Sequence, residues 1–139
     1  MRRRVIAEAL PACASSVGSI PQAKESEEQE ALFEWAAIEA GAKRELELLY
    51  HIPNEGKRSG RAGAALLRQG LKRGVPDICL PVARGGYHAL YIELKRRSGG
   101  KASESQREWI RRLSEAGNKA VICEGWESAA REIMEYIGK

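Results

Sequence analysis

Gly74-Val75-Pro76-Asp77-Ile78-Cys79-Leu80 and Tyr87-His88-Ala89-Leu90-Tyr91-Ile92-Glu93-Leu94-Lys95 flank a short break that contains Arg84-Gly85-Gly86. Two apolar runs separated by a Gly-containing break read as a β-hairpin. Side chains alternate faces along a strand, so Glu93 and Lys95 share one face while Leu90, Ile92 and Leu94 share the other. An acid and a lysine at the end of a buried strand are costly to desolvate, which marks them for pairing or for function. In an antiparallel hairpin, directly paired residues have a constant sum of positions. Pairing Asp77 with Glu93 gives 170, centres the turn on Gly85 and makes Arg84-Gly85-Gly86 a three-residue loop. A two-residue Gly85-Gly86 loop pairs Arg84 with Tyr87, a sum of 171. That register turns the two carboxylates to opposite faces unless a bulge shifts the pairing by one.

In the first register Asp77 and Glu93 are neighbours, and two carboxylates that close repel unless something neutralises them. A hard divalent cation with oxygen ligands, Mg²⁺ or Mn²⁺, does so. Each carboxylate must then reach one small ion at about 2.1 Å, which predicts oxygens within roughly 5 Å of each other. Lys95, one pleat further on, is placed to orient an attacking water or to stabilise charge on a phosphate oxygen.

Charge distribution points the same way. From Gly56 to Lys101 there are eleven Lys or Arg residues against two acids, Asp77 and Glu93, whereas Lys24 to Glu47 holds eight Glu against three basic residues. A basic block around the two candidate metal acids suits a polyanionic substrate. The 139 residues, with a formal charge of +4, are read as one domain. Cys13, Cys79 and Cys123 form an odd set without a C-x-x-C pair, which argues against a disulfide framework or zinc site and for a reducing compartment. No apolar run approaches the length of a membrane span.

Residues 1 to 24, rich in Ala, Ser, Gly and Pro, are expected to form a poorly ordered tail before a domain at 25–139. A helix is predicted from Glu25 to Ala40, with Leu32, Phe33, Trp35 and Ala36 as its apolar stripe and Gly41 as its stop. Ser26 with Gln29 fits a capping box, which would leave Glu25 just outside that helix. Leu46 to Ile52 reads as the first strand and Gly60 to Leu71 as a helix weakened by Gly70. After Lys95, the basic loop Arg96-Arg97-Ser98-Gly99-Gly100-Lys101 is suited to gripping phosphates. Ser103 and Gln106 form a capping box for a further helix. Lys119 to Cys123 is a strand, and Trp126 to Ile137 is a closing helix. Lys57, Arg58, Lys72, Arg73, Arg96, Arg97 and Lys101 are the candidate DNA-binding residues.

The blocks His51-Ile52-Pro53-Asn54, Gly74-Val75-Pro76-Asp77, Tyr91-Ile92-Glu93-Leu94-Lys95 and Ser103 to Gln106, in that order, resemble the VRR-NUC family of the PD-(D/E)XK nuclease superfamily, of the stand-alone phage and prophage type. The resemblance spans roughly Glu25 to Ile137. It implies an α/β, restriction-endonuclease-like fold with an αβββαβ core, a mixed central sheet flanked by helices, one inserted helix after the first strand and a C-terminal helix. It implies a Mg²⁺- or Mn²⁺-dependent endodeoxyribonuclease with Glu25, Asp77, Glu93 and the Leu94 carbonyl as metal ligands, Glu28 being the rival of Glu25. Asp77, Glu93, Lys95 and Gln106 are the catalytic set, and Gln106 has its capping role as an alternative. Small stand-alone relatives suggest a homodimer acting on branched DNA such as four-way junctions, in the cytoplasm of a bacterial or phage-infected cell. The alternatives are a nuclease for simple duplex or single-stranded DNA, and an inactive DNA-binding module of the same fold.

Overall fold

The computed structural model describes residues 22–54 and 60–139. The expected tail up to residue 21, together with Lys57, Arg58 and Cys13, lies outside the described residues. In chain order the elements are helix α1 (Glu25–Glu39), a 3₁₀ turn (Arg44–Leu48), β1 (Tyr50–His51), α2 (Arg61–Arg68), β2 (Ile78–Leu80), β3 (Leu90–Lys95), α3 (Glu104–Glu115), β4 (Lys119–Glu124) and α4 (Trp126–Ile137). The four strands form one mixed sheet in the order β1-β2-β3-β4. β1–β2 and β2–β3 are antiparallel and β3–β4 is parallel. Neighbouring parallel strands need a crossover, and α3 supplies it. This is the expected αβββαβ core with one inserted helix and a C-terminal one.

The hairpin keeps the pairing sum of 170: Ile78 faces Ile92, Cys79 faces Tyr91 and Leu80 faces Leu90. The three-residue loop is corrected. Arg84 pairs with Tyr87 around a two-residue Gly85-Gly86 turn, and both glycines have positive φ, +57° and +86°, as a type I′ hairpin requires. The register therefore starts at 171 and shifts to 170 before the strands proper. The extra residue is absorbed at Pro81, where the Val82 N–H turns back to the Leu80 carbonyl at 2.9 Å. A one-residue offset of this kind moves all later side chains of one strand to the other face. Here it brings Asp77 and Glu93 to the same side.

The first strand is also shorter than expected. Arg44–Leu48 winds into a 3₁₀ turn with Leu46 buried, and only Tyr50–His51 pairs with the sheet. Its neighbour β2 is three residues long, and past His51 the pairing continues in the Ile52 N–H bond to the Asp77 carbonyl at 2.7 Å. α2 stops at Arg68, before the predicted Leu71, because Gly70 leaves the helix at φ +101° and the Leu71 N–H returns to Leu66. α1 starts one residue after Lys24, whose N–H is taken by the Glu27 carboxylate at 2.8 Å. The predicted Ser26–Gln29 cap is not used, and Glu25 lies in the first turn of the helix.

Ile78, Leu80, Leu90, Ile92 and Leu94 form the sheet's contribution to the core, against Leu32 and Ala36 of α1 and Ala129, Ile133 and Tyr136 of α4. The amphipathic stripes of the two helices account for this packing. Asp77, Glu93 and Lys95 are left to the opposite face and to the carboxyl end of β3, where α3 and the start of α1 meet them. Cys79 and Cys123 are free thiols in the interior. No helix among the described residues is long and apolar enough to cross a membrane.

Candidate metal centre

Glu25, Asp77 and Glu93 converge. One carboxylate oxygen from each lies within 4.8 Å of the others. The separation meets the distance expected from the hairpin register, and it selects Glu25 over Glu28. Glu93 is 1% exposed. Its Oε1 accepts from Lys95 Nζ at 2.8 Å and from Gln106 Nε2. Its Oε2 is buried and has no hydrogen-bond partner among the described residues. Asp77 Oδ2 accepts the Leu94 N–H at 2.9 Å, which ties the carboxylate across the hairpin. Lys95 Nζ reaches Glu25 Oε1 at 3.3 Å. Thus one oxygen of Glu93 and one of Asp77 are fixed by protein donors, while an inner oxygen of Glu93 remains unmatched.

That unmatched oxygen is the observation against which a cation must be tested. A buried carboxylate oxygen without a donor costs free energy. The surrounding ligand atoms are all carboxylate oxygens, the set that hard divalent ions prefer. The residues present therefore fit a hard divalent cation. Electrostatics agree with the geometry. Burial pushes Glu93 up to about 7, with the Asp77 and Glu25 charges adding and Lys95 opposing. Burial also raises Asp77, partly offset by the Leu94 N–H and Lys95. Burial alone would lower Lys95, but Glu93 and Glu25 outweigh it and hold the ammonium above its ordinary value. Three carboxylates and one ammonium leave excess negative charge that a proton or a cation must balance.

Gln106 closes its expected capping box and also reaches the carboxylate cluster. Its Oε1 accepts the Ser103 N–H at 2.7 Å and Ser103 Oγ accepts the Gln106 N–H at 3.2 Å, closing the capping box. Its amide nitrogen, free of the cap, donates to Glu93. Backbone packing brings α3 there: a Cβ on Gly74 would lie 2.7 Å from the Ser105 carbonyl group. Only glycine lets the chain before Asp77 pass that close, at φ +86°.

Glu28 is a different kind of residue from its rival. It is 2% exposed and sits away from the cluster. Its Oε2 accepts the Trp126 N–H at 2.8 Å, and Arg97 Nε lies 3.4 Å from its Oε1. Gly125, the residue before α4, has no side chain to cap that helix, so Glu28 caps it from across the fold. The sequence carried a signal for this: Glu28, Leu32 and Ala36 follow at intervals of four and form the buried stripe of α1. His51 donates from Nδ1 to the Asp77 carbonyl at 2.8 Å, which supports the strand end and gives the ring a structural task.

The basic candidates separate. Lys72, Arg73, Arg96 and Lys101 are exposed and carry no ion pair among the described residues. Arg97 is engaged with Glu28 and Glu127 and braces the start of α4. The Leu94 backbone lies beside Asp77 through its N–H.

The VRR-NUC domain profile matches residues 23–127. A solved structure described as a VRR_NUC domain protein superposes with a TM-score of 0.72 at 28% identity, covering 86% of this chain and 92% of its own. No curated protein matches the chain. With three quarters of its residues inside the family profile, the chain belongs to the VRR-NUC domain family, nucleases of the PD-(D/E)XK type.

Proposed function

We propose that this VRR-NUC domain is a Mg²⁺- or Mn²⁺-dependent DNA endonuclease, structure-selective for branched DNA such as four-way junctions and acting as a homodimer in the cytoplasm. The observation that carries the reading is the convergence of Glu25, Asp77 and Glu93 within 4.8 Å, with an unmatched buried oxygen on Glu93 left for a cation and Lys95 in contact with the cluster.

Glu25, Asp77 and Glu93 would hold the ion, with the Leu94 carbonyl as a further oxygen. When bound, such an ion supplies Lewis-acid polarisation of the scissile phosphate and lowers the pKa of water. The chain's own residues do the rest. Lys95, 8% exposed at its side chain and fixed between Glu93 and Glu25, orients the attacking water and offsets charge growing on the phosphate. Gln106 holds Glu93 Oε1 so that Oε2 faces inward. Arg96 and Lys101 beyond β3, and Lys72 and Arg73 before Asp77, neutralise phosphates on either side. Lys57 and Arg58 belong to the same basic segment. Hydrolysis would leave 5′-phosphate and 3′-hydroxyl ends.

The test is a panel of labelled four-way junction, flap, duplex and single-stranded DNA, each with Mg²⁺, Mn²⁺ or EDTA. Preferential cutting of the junction or flap with either ion supports the proposal. Equal cutting of plain duplex shifts the reading to an unselective nuclease. Binding without cutting in every condition leaves a DNA-binding module.

A further inference from the structure

One turn along α3 from Gln106 lies a cleft that the nuclease centre does not use. It has a volume of about 500 Å³ and is lined by Lys72, Arg73, Trp109, Arg112 and Leu113. Its walls combine an indole ring and an aliphatic side chain with three cations, and among the described residues no acid lines it. The ring is fixed: Trp109 Nε1 donates to the Arg73 carbonyl at 2.9 Å, which ties α3 to the loop that leads into Asp77. The size falls within the range of about 300–1,000 Å³ typical of small-molecule sites.

The position gives the cleft a meaning. Gln106 and Trp109 are three residues apart, so they lie on neighbouring parts of one helix face, about 4.5 Å apart along the axis. Gln106 touches Glu93, and Arg73 adjoins Gly74, which packs on Ser105. Consecutive nucleotides of a strand advance about 3.4 Å along a duplex axis. The cleft therefore lies on the helix face next to the one that touches the carboxylates, on the side of a nucleotide that flanks a phosphate held there. A base stacks on an aromatic ring only when it is out of its own stack, and flanking cations take the phosphates.

We infer that this cleft is a subsite for one unpaired nucleotide next to the scissile phosphate, with its base against Trp109 and its phosphates on Lys72, Arg73 and Arg112. Such a subsite reads the strand structure of DNA without reading its sequence, because every base presents a π-face. The inference rests on the nuclease reading for the class of ligand and for nothing else.

The experiment measures binding in EDTA, so that no strand is cut. Fluorescence anisotropy compares a labelled duplex carrying a single unpaired nucleotide with a fully paired duplex of the same length. Wild-type protein should prefer the first. Trp109→Leu should lower that preference by at least about fivefold, the lower end of what stacking of one base supplies. Trp109→Phe, which keeps a ring, should retain most of it. Arg112→Glu, an exposed change that does not threaten the fold, should weaken the unpaired probe more than the paired one. A wild-type protein without preference, or variants that weaken both probes equally, would overturn the subsite. Those outcomes are separate from failure of the nuclease reading, which would appear as absent cleavage with the binding preference intact.

Discussion

Neutralising Glu93 should make the metal-free protein more stable while removing its response to metal. In the folded protein burial, reinforced by Asp77 and Glu25, pushes this carboxyl up to about 7. In an unfolded chain it titrates near ~4.3. A raised carboxyl holds its proton in the fold over a window where the unfolded chain has lost it, so its contribution to stability is complete below about 4.3 and is lost as pH rises through about 7. The interval between those values corresponds to about 4 kcal/mol at about 1.36 kcal/mol per pH unit. Glutamine is the neutral isostere, and Glu93→Gln should therefore gain up to about 4 kcal/mol over wild type at pH 8 in EDTA. For a domain of this size that is up to roughly 10–20 °C in Tm. The advantage should shrink to nothing near pH 4–5. Mn²⁺ at about 1,000 times its Kd should abolish that advantage, since it adds about 4.1 kcal/mol to the protein that binds it and nothing to one that does not. Thermal unfolding by circular dichroism at pH 5 and pH 8, with EDTA or Mn²⁺, reads all four conditions. A variant that melts below wild type at pH 8 in EDTA, or gains as much from Mn²⁺, would refute the account of the unmatched oxygen.

Binding of Mn²⁺ should release a proton below about pH 7 and weaken as pH falls, because the ion replaces the proton on Glu93. Calorimetry in buffers of different ionisation enthalpy counts that proton, and none released at pH 6 would contradict it. Glu28→Ala should cost about 1.5–3 kcal/mol, since it strips the Trp126 N–H and Arg97 of a buried charged acceptor; a denaturant midpoint unchanged from wild type would show that the cap contributes little. Arg96 and Arg97 should part company: Arg96→Ala should flatten the slope of log affinity for duplex DNA against log salt by about 0.9, while Arg97→Ala should chiefly lower stability through the Glu28 and Glu127 pairs. Equal salt slopes for wild type and Arg96→Ala would place that side chain off the DNA.

Much of the centre was legible because chemistry constrained geometry. A shared ion requires Asp77 and Glu93 on one face, which requires an even pairing sum, and β2–β3 pair with the sum of 170. For the turn itself the sequence allows two readings, a three-residue loop and a two-residue loop with a bulge. Gly85-Gly86 is the shorter loop, and the residue that restores the register is taken up at Pro81, in a local turn beside Val82. The Val82 carbonyl accepts from Tyr136 of α4, a tertiary partner that hydrophobic periodicity does not reveal. Leu46 and Leu48 alternate with charged residues as in a strand, yet they wind into a 3₁₀ turn that buries Leu46, and only Tyr50–His51 pairs with the short β2. Gln106 presented two readings because one amide has two ends, and the fold uses both. Arg97 looked like a phosphate contact in a basic loop, since its acidic partners lie on α1 and α4, far away in sequence.

The central claim is that the Glu25–Asp77–Glu93 cluster cuts DNA with the help of a divalent ion. The most direct measurement is the rate of cleavage of a labelled four-way junction by wild type and Asp77→Asn, with Mn²⁺ and with EDTA, on preparations whose circular dichroism spectra agree. Wild type with Mn²⁺ should cleave, and neither wild type in EDTA nor Asp77→Asn in either condition should do so. Cleavage by Asp77→Asn at the wild-type rate, or by wild type undiminished in EDTA, would contradict the claim.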